Sequence, residues 1–172
     1  MTMRSKLIPA GILAFLLLVS STANAYRPEV VSSKPRGMQR GTTQKVIIQG
    51  VRLGDSRQLL LDMPGINVVS LKPLDDKQLE VELEVPAETK PGLYPLRVVA
   101  ETGLSNVLMF SIGALPTIDE VEPNSDFASP QVIENNVTIE GAVAREDEDY
   151  FSVNLKKGEQ LTVELEGVRI KK

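Results

Sequence analysis

KQLEVELEV, Lys77 to Val85, alternates without a break: Leu79, Val81, Leu83 and Val85 fall on one side, Glu80, Glu82 and Glu84 on the other. Successive side chains of a strand point to opposite faces. A period of two therefore means a half-buried antiparallel strand, one face in a core and the other in water. The neighbouring segments read the same way. Strands are predicted at PEVVSS near Glu29, QKVIIQG around Ile47, QLLLD around Leu60, INVVSL around Val68, LYPLRVVA around Leu96 and NVLMFSIG around Phe110. Turn residues separate them at Gly41-Thr42, Gly54-Asp55, Pro64-Gly65, Pro91-Gly92 and Thr102-Gly103. No stretch after Tyr26 carries a sustained helical period, so the expected fold class is all-β.

Roughly seven strands, spaced at about 8 to 12 residues, are what a two-layer immunoglobulin-like β-sandwich requires. That domain is expected over residues 26–113. Ala114 to Pro116 is a natural joint, because proline is excluded from helix interiors and central strands. Residues 114–172 then form a second unit, a partial β-sandwich. A polar lead-in, TIDEVEPNSDFASPQ, precedes three expected strands, NVTIEGAVA, DYFSVNL and QLTVELEGV. Phe151, Val153 and Leu155 alternate, as do Leu161, Val163 and Leu165, and Lys156-Lys157-Gly158-Glu159 is expected to join the two runs as a hairpin. A unit of this size buries little surface, and an unpaired strand running into VRIKK would be an adhesive edge.

The amino terminus carries Arg4 and Lys6, the apolar run Leu7 to Val19, and then Ala23-Asn24-Ala25. That is the pattern of a secretory signal peptide over residues 1–25, a helix removed on export to leave Tyr26 first. The apolar run is short for a membrane span, which needs about 20 residues. An uncleaved anchor is the competing reading; after cleavage no transmembrane anchor is expected. Export moves the formal charge from −4 to −6, because only Arg4 and Lys6 are lost. No basic stripe interleaved with aromatics is present, so no nucleic-acid partner is expected.

The chain has no cysteine, so its stability rests on packing without disulfides. It also has no histidine, which removes every catalytic triad built on imidazole and the common catalytic zinc sites. A carboxylate pair for glycoside hydrolysis remains chemically conceivable. With no tryptophan to line a sugar cleft, no catalytic residue is assigned.

PEVVSSKPRGMQRGTTQKVIIQGVRL has an opening proline strand, a Ser-x-Pro turn, a Gly-Thr step and an apolar strand ending in Gly-x-x-Leu; VPAETKPGLYPLRV follows later. On these residues the first domain resembles the IPT/TIG family of immunoglobulin-like domains. Glu120-Val121-Glu122-Pro123-Asn124, a Gly141-bearing strand, Asp147-Glu148-Asp149-Tyr150-Phe151 and Lys156 to Glu159 make the second unit resemble the start of a bacterial pre-peptidase C-terminal domain. The β module of that family is appended to secreted peptidases. Some relatives bind calcium between the acidic lead-in and the Asp-x-Asp loop, which implies Glu120, Glu122, Asn124, Asp147 and Asp149 as Ca²⁺ ligands here. Carboxylate oxygens suit this hard cation. Where those relatives carry Asp or Asn after the asparagine, this chain has Ser125, one strong ligand fewer. The other reading makes Glu146 to Asp149 a solvated turn that starts a strand.

The two resemblances imply an exported, non-catalytic binding or spacer protein, periplasmic, cell-surface or extracellular, with a protein or glycan partner at the envelope. The alternative from another class is the amino-terminal piece of a larger secreted peptidase or hydrolase. Asn136-Val137-Thr138 matches a glycosylation acceptor but falls in an expected strand, and Glu80, Glu82 and Glu84 read as a solvated strand face.

Overall fold

The computed structural model describes residues 26–142 and 145–167, so the expected signal-peptide helix, residues 1–25, lies outside the described residues. The described chain is all-β. Its strands are β1 (Glu29–Lys34), β2 (Gly37–Gln39), β3 (Thr43–Val51), β4 (Ser56–Leu61), β5 (Asn67–Pro73), β6 (Gln78–Glu84), β7 (Gly92–Ala100), β8 (Gly103–Leu104), β9 (Leu108–Gly113), β10 (Thr117–Asp119), β11 (Gln131–Ile133), β12 (Thr138–Glu140) and β13 (Phe151–Val153). Among the described residues no helix is long and apolar enough to cross a membrane.

The first nine strands build two sheets, β1-β3-β6-β5 and β2-β9-β7-β4, with β8 paired to β7. All seven expected strands of this unit are present. Leu79, Val81, Leu83 and Val85 face the interior and are essentially inaccessible. They join Val46 and Ile48 from β3 with Leu96, Val98, Phe110 and Ile112 from the opposing sheet in one core. Burying each such side chain contributes about 1.5–3 kcal/mol. The glutamates of β6 face outward and meet cross-strand partners: Lys45 Nζ donates to Glu80 at 3.0 Å and Asn67 Nδ2 to Glu84 at 3.1 Å.

β2 and β8 are additions to the expected set. The first apolar segment does not stay in one sheet: β1 pairs antiparallel with β3, the chain bends at Pro35-Arg36, and β2 pairs parallel with β9 in the other sheet. Gly37 permits that crossing, since a Cβ there would lie 2.8 Å from Ser111 Cβ. The turn at Gly41-Thr42 needs glycine for another reason, because Gly41 has φ of 74°. Asn106 closes the open side of β1 by presenting its amide as a strand edge: Oδ1 accepts from Val30 N at 2.8 Å and Nδ2 donates to Val30 O at 2.9 Å.

The second unit departs from expectation in four places. The lead-in is not wholly irregular: it contains β10, and its last residue opens β11. The pairings β10–β12 and β11–β13 are parallel, two small sheets of two strands each. The expected hairpin does not close. Its turn forms, with Glu159 N donating to Lys156 O at 3.1 Å, but among the described residues Leu161 to Gly167 joins no sheet. Val163 and Leu165 are 79% and 93% exposed. Alternation makes a strand only where a neighbour supplies a ladder and an apolar face to cover, and β13 has paired with β11 instead. The strand around Asn136 is also shorter than expected, since Asn136 sits in a turn with φ of 61° just before β12.

Candidate metal centre

Four segments meet beside the two small sheets. Glu120 directly follows β10, Gly141 directly follows β12, and Asp149 stands two residues before β13; the loop Val121 to Asn124 closes over them. The joints are backbone bonds. Glu120 N donates to Glu140 O at 2.9 Å, Tyr150 N to Asn124 O at 3.0 Å, and Gln131 N to Tyr150 O at 3.0 Å. Gln131 adds its side chain, accepting from Val121 N at 2.9 Å and donating to Asp119 O at 3.3 Å. It thereby spans the two sheets and positions the loop.

This framework brings Glu120, Glu122 and Asp149 together, with one carboxylate oxygen of each inside a 4.8 Å cluster. Glu120 and Asp149 are half-buried and Glu122 is exposed. Asn124 is buried beneath them at 1% exposure. Its Nδ2 donates to Glu120 Oε1 at 3.2 Å and its backbone N to Glu122 Oε2 at 3.1 Å. Glu120 Oε2 accepts in addition from Ala142 N at 3.1 Å. Gly141 leaves room for that carboxylate, because a Cβ on it would stand 2.8 Å from Glu120 Cδ.

Two atoms of this cluster lack a partner. Among the described residues, three buried side-chain oxygens accept or donate no hydrogen bond: Asn124 Oδ1, Asp149 Oδ1 and Thr89 Oγ1 of the first unit. A buried acceptor left unpaired costs about 1–3 kcal/mol, and a positive group at the cluster is one partner that would satisfy both. Burial, then the charges of Glu120, Asp147 and Glu122, push the Asp149 carboxyl above the ordinary carboxylate range. Like charges held this close disfavour one another's ionisation, which a cation at the cluster would reverse.

A divalent hard cation fits the donor set. Calcium takes six to eight oxygens, carboxylate and amide alike, and accepts irregular geometry. Glu120, Glu122 and Asp149 supply three carboxylates and Asn124 an amide oxygen. Asp147 is not one of the three clustered carboxylates; its Oδ1 accepts from Ser125 Oγ at 3.1 Å, and its charge acts on Asp149. Tyr150 turns its hydroxyl away to Glu148 at 2.9 Å. Four of the five residues implied by sequence resemblance are thus brought together. The local sequence marks no positioning role for Gln131, and marks Gly141 only as part of the motif that carries the resemblance.

Gly141→Ala tests the cradle. The added methyl must displace the Glu120 carboxylate, which then loses its bonds to Ala142 N and Asn124 Nδ2. Titration calorimetry should show calcium affinity at least tenfold weaker than in the parent, with the first sandwich unfolding at an unchanged temperature.

No family model matches the chain, and no curated protein matches it. Among solved structures, it is similar to the Bacteroides ovatus mixed-linkage glucan utilization locus SGBP-B in complex with mixed-linkage heptasaccharide, at 16% identity and a TM-score of 0.34. That match covers 58% of this chain and 23% of the other.

Proposed function

We propose that this is an exported, non-catalytic binding or spacer protein whose second unit is organised by calcium. In this reading an IPT/TIG-like sandwich is followed by a pre-peptidase C-terminal-like module, and the pair presents loops and strand edges to a protein or glycan of the cell envelope. The observation that carries the calcium part is the convergence of Glu120, Glu122 and Asp149 over the buried, unpartnered oxygens of Asn124 and Asp149. The ion would join the end of β10 to the start of β13, and so hold two sheets that are too small to persist alone.

The non-catalytic part rests on composition: the chain has no histidine and no cysteine, and Glu120 and Glu122 of the cluster accept structural bonds from Ala142 N and Asn124. A nucleophile needs an adjacent base to activate it. Purified protein is expected to leave casein and collagen peptides intact over long incubation. Turnover that copurifies with the chain through several columns would overturn this. Calorimetric titration with calcium tests the ion itself; a one-site binding heat that saturates through the millimolar range is the expected result, and a flat titration at millimolar calcium would refute it.

A further inference from the structure

The cation site lies one residue away from the contact that docks the second unit on the first. Glu140, the last residue of β12, extends its carboxylate to the sheet-crossing bend, where Oε2 accepts from Arg36 N at 2.9 Å. The same residue's carbonyl accepts from Glu120 N at 2.9 Å. Arg36 in turn accepts from Ser111 N at 3.1 Å, so the bend is held from the first unit by β9 and from the second by Glu140.

We infer that cation occupancy sets the docking of the second unit on the first, acting from Glu120 through the Glu140-Gly141-Ala142 backbone to Arg36. The inference rests on the calcium reading. Glu120 grips that backbone twice, by its own N–H to Glu140 O and by its carboxylate to Ala142 N at 3.1 Å. Gly141 between them has no side chain, and the Glu120 carboxylate occupies the space one would take. Where this carboxylate sits therefore decides how the end of β12 is held. Without a cation, Glu122 and Asp149 repel it from the cluster; with one, all three are drawn in.

Among the described residues, the other polar contacts between the units restrain this motion less. Gln39 Nε2 donates to Ala114 O at 3.0 Å, an exposed bond beside the covalent joint and away from the cluster. Lys34 and Asp119 pair at 3.8 Å with both side chains well exposed, an arrangement that contributes little. Ser111 Oγ reaches Glu166 only at 3.5 Å. The bond from Arg36 N to Glu140 is the shortest of these and the one directly coupled to the cluster.

The test follows the Arg36 amide by NMR hydrogen exchange in the full chain, with and without saturating calcium, beside calorimetry on the same samples. Exchange at Arg36 should slow about tenfold on calcium addition, the local opening that exposes it having become rarer. In Glu140→Ala the calcium heat should persist while Arg36 exchanges fast and independently of calcium. Lys34→Ala should retain the parent's response. Calcium heat in the parent with no change at Arg36 would overturn the coupling and leave the calcium site standing; so would Arg36 protection that survives in Glu140→Ala. No heat in the parent would overturn both.

Discussion

Leu83→Asp is expected to unfold the first sandwich. Leu83 lies at 0% exposure near the end of β6, packed in the core with Val81 and Val85. A carboxylate at that point has neither a charge partner nor a hydrogen-bond donor on the inward face. It would also lose the leucine's own packing. The combined cost, several kcal/mol or more, is comparable with the roughly 5–15 kcal/mol that holds a domain together. Urea titration monitored by far-ultraviolet circular dichroism should therefore show no cooperative transition for the variant at 25 °C. Val69→Asp, on the same sheet but 49% exposed, is the matched control and should shift stability by about 0.5 kcal/mol or less. A Leu83→Asp protein that unfolds cooperatively at the parent's midpoint would remove β6 from the core.

Calcium should produce the second large effect, and it should reverse the order of melting between the parent and Asp149→Asn. A ligand that binds only the folded state stabilises it by about 2.7 kcal/mol when present at a hundredfold excess over its dissociation constant. With affinity about millimolar, as in extracellular calcium modules, the melting temperature of the second unit should climb steadily through the millimolar range. In chelator the same unit carries crowded carboxylates, and Asp149 has its carboxyl raised above the ordinary range. A carboxyl raised in the folded state binds more protons there than in the unfolded chain. Cation-free stability should thus fall as pH rises from the unfolded-state value through the folded-state value, and level off above it. Asp149→Asn removes that repulsion and a ligand charge together. It should melt higher than the parent in chelator and lower in calcium. Identical melting of parent and variant under both conditions would reduce the cluster to a solvated turn.

Much of the first unit was legible because its signal is local. Alternation at Lys77 to Val85 identifies which side chains are buried, and Gly41-Thr42 and Pro64-Gly65 mark where the chain turns, since φ near 74° at Gly41 and 78° at Gly65 suits glycine. The crossing of the first strand at Pro35-Arg36 was not legible as a change of sheet. A Ser-x-Pro turn reads the same whether the chain continues in one layer or passes to the other.

The second unit divides differently. The residues that meet at its cluster, Glu120, Glu122, Asn124 and Asp149, were among the five, with Asp147, that the resemblance of two short motifs to a known family implied. That Asp147 turns to Ser125, that Gln131 ties the two sheets, and that Gly141 makes room for a carboxylate were decided by the tertiary structure. The same holds for Leu161 to Gly167, whose alternation is as regular as that of β6 but which lies exposed. Sequence determined the periodicity of both segments. Only the three-dimensional arrangement decided that β6 lies between β3 and β5 over an apolar layer while residues 161–167 have no such neighbours, because a strand is stabilised by its partners and not by its own pattern.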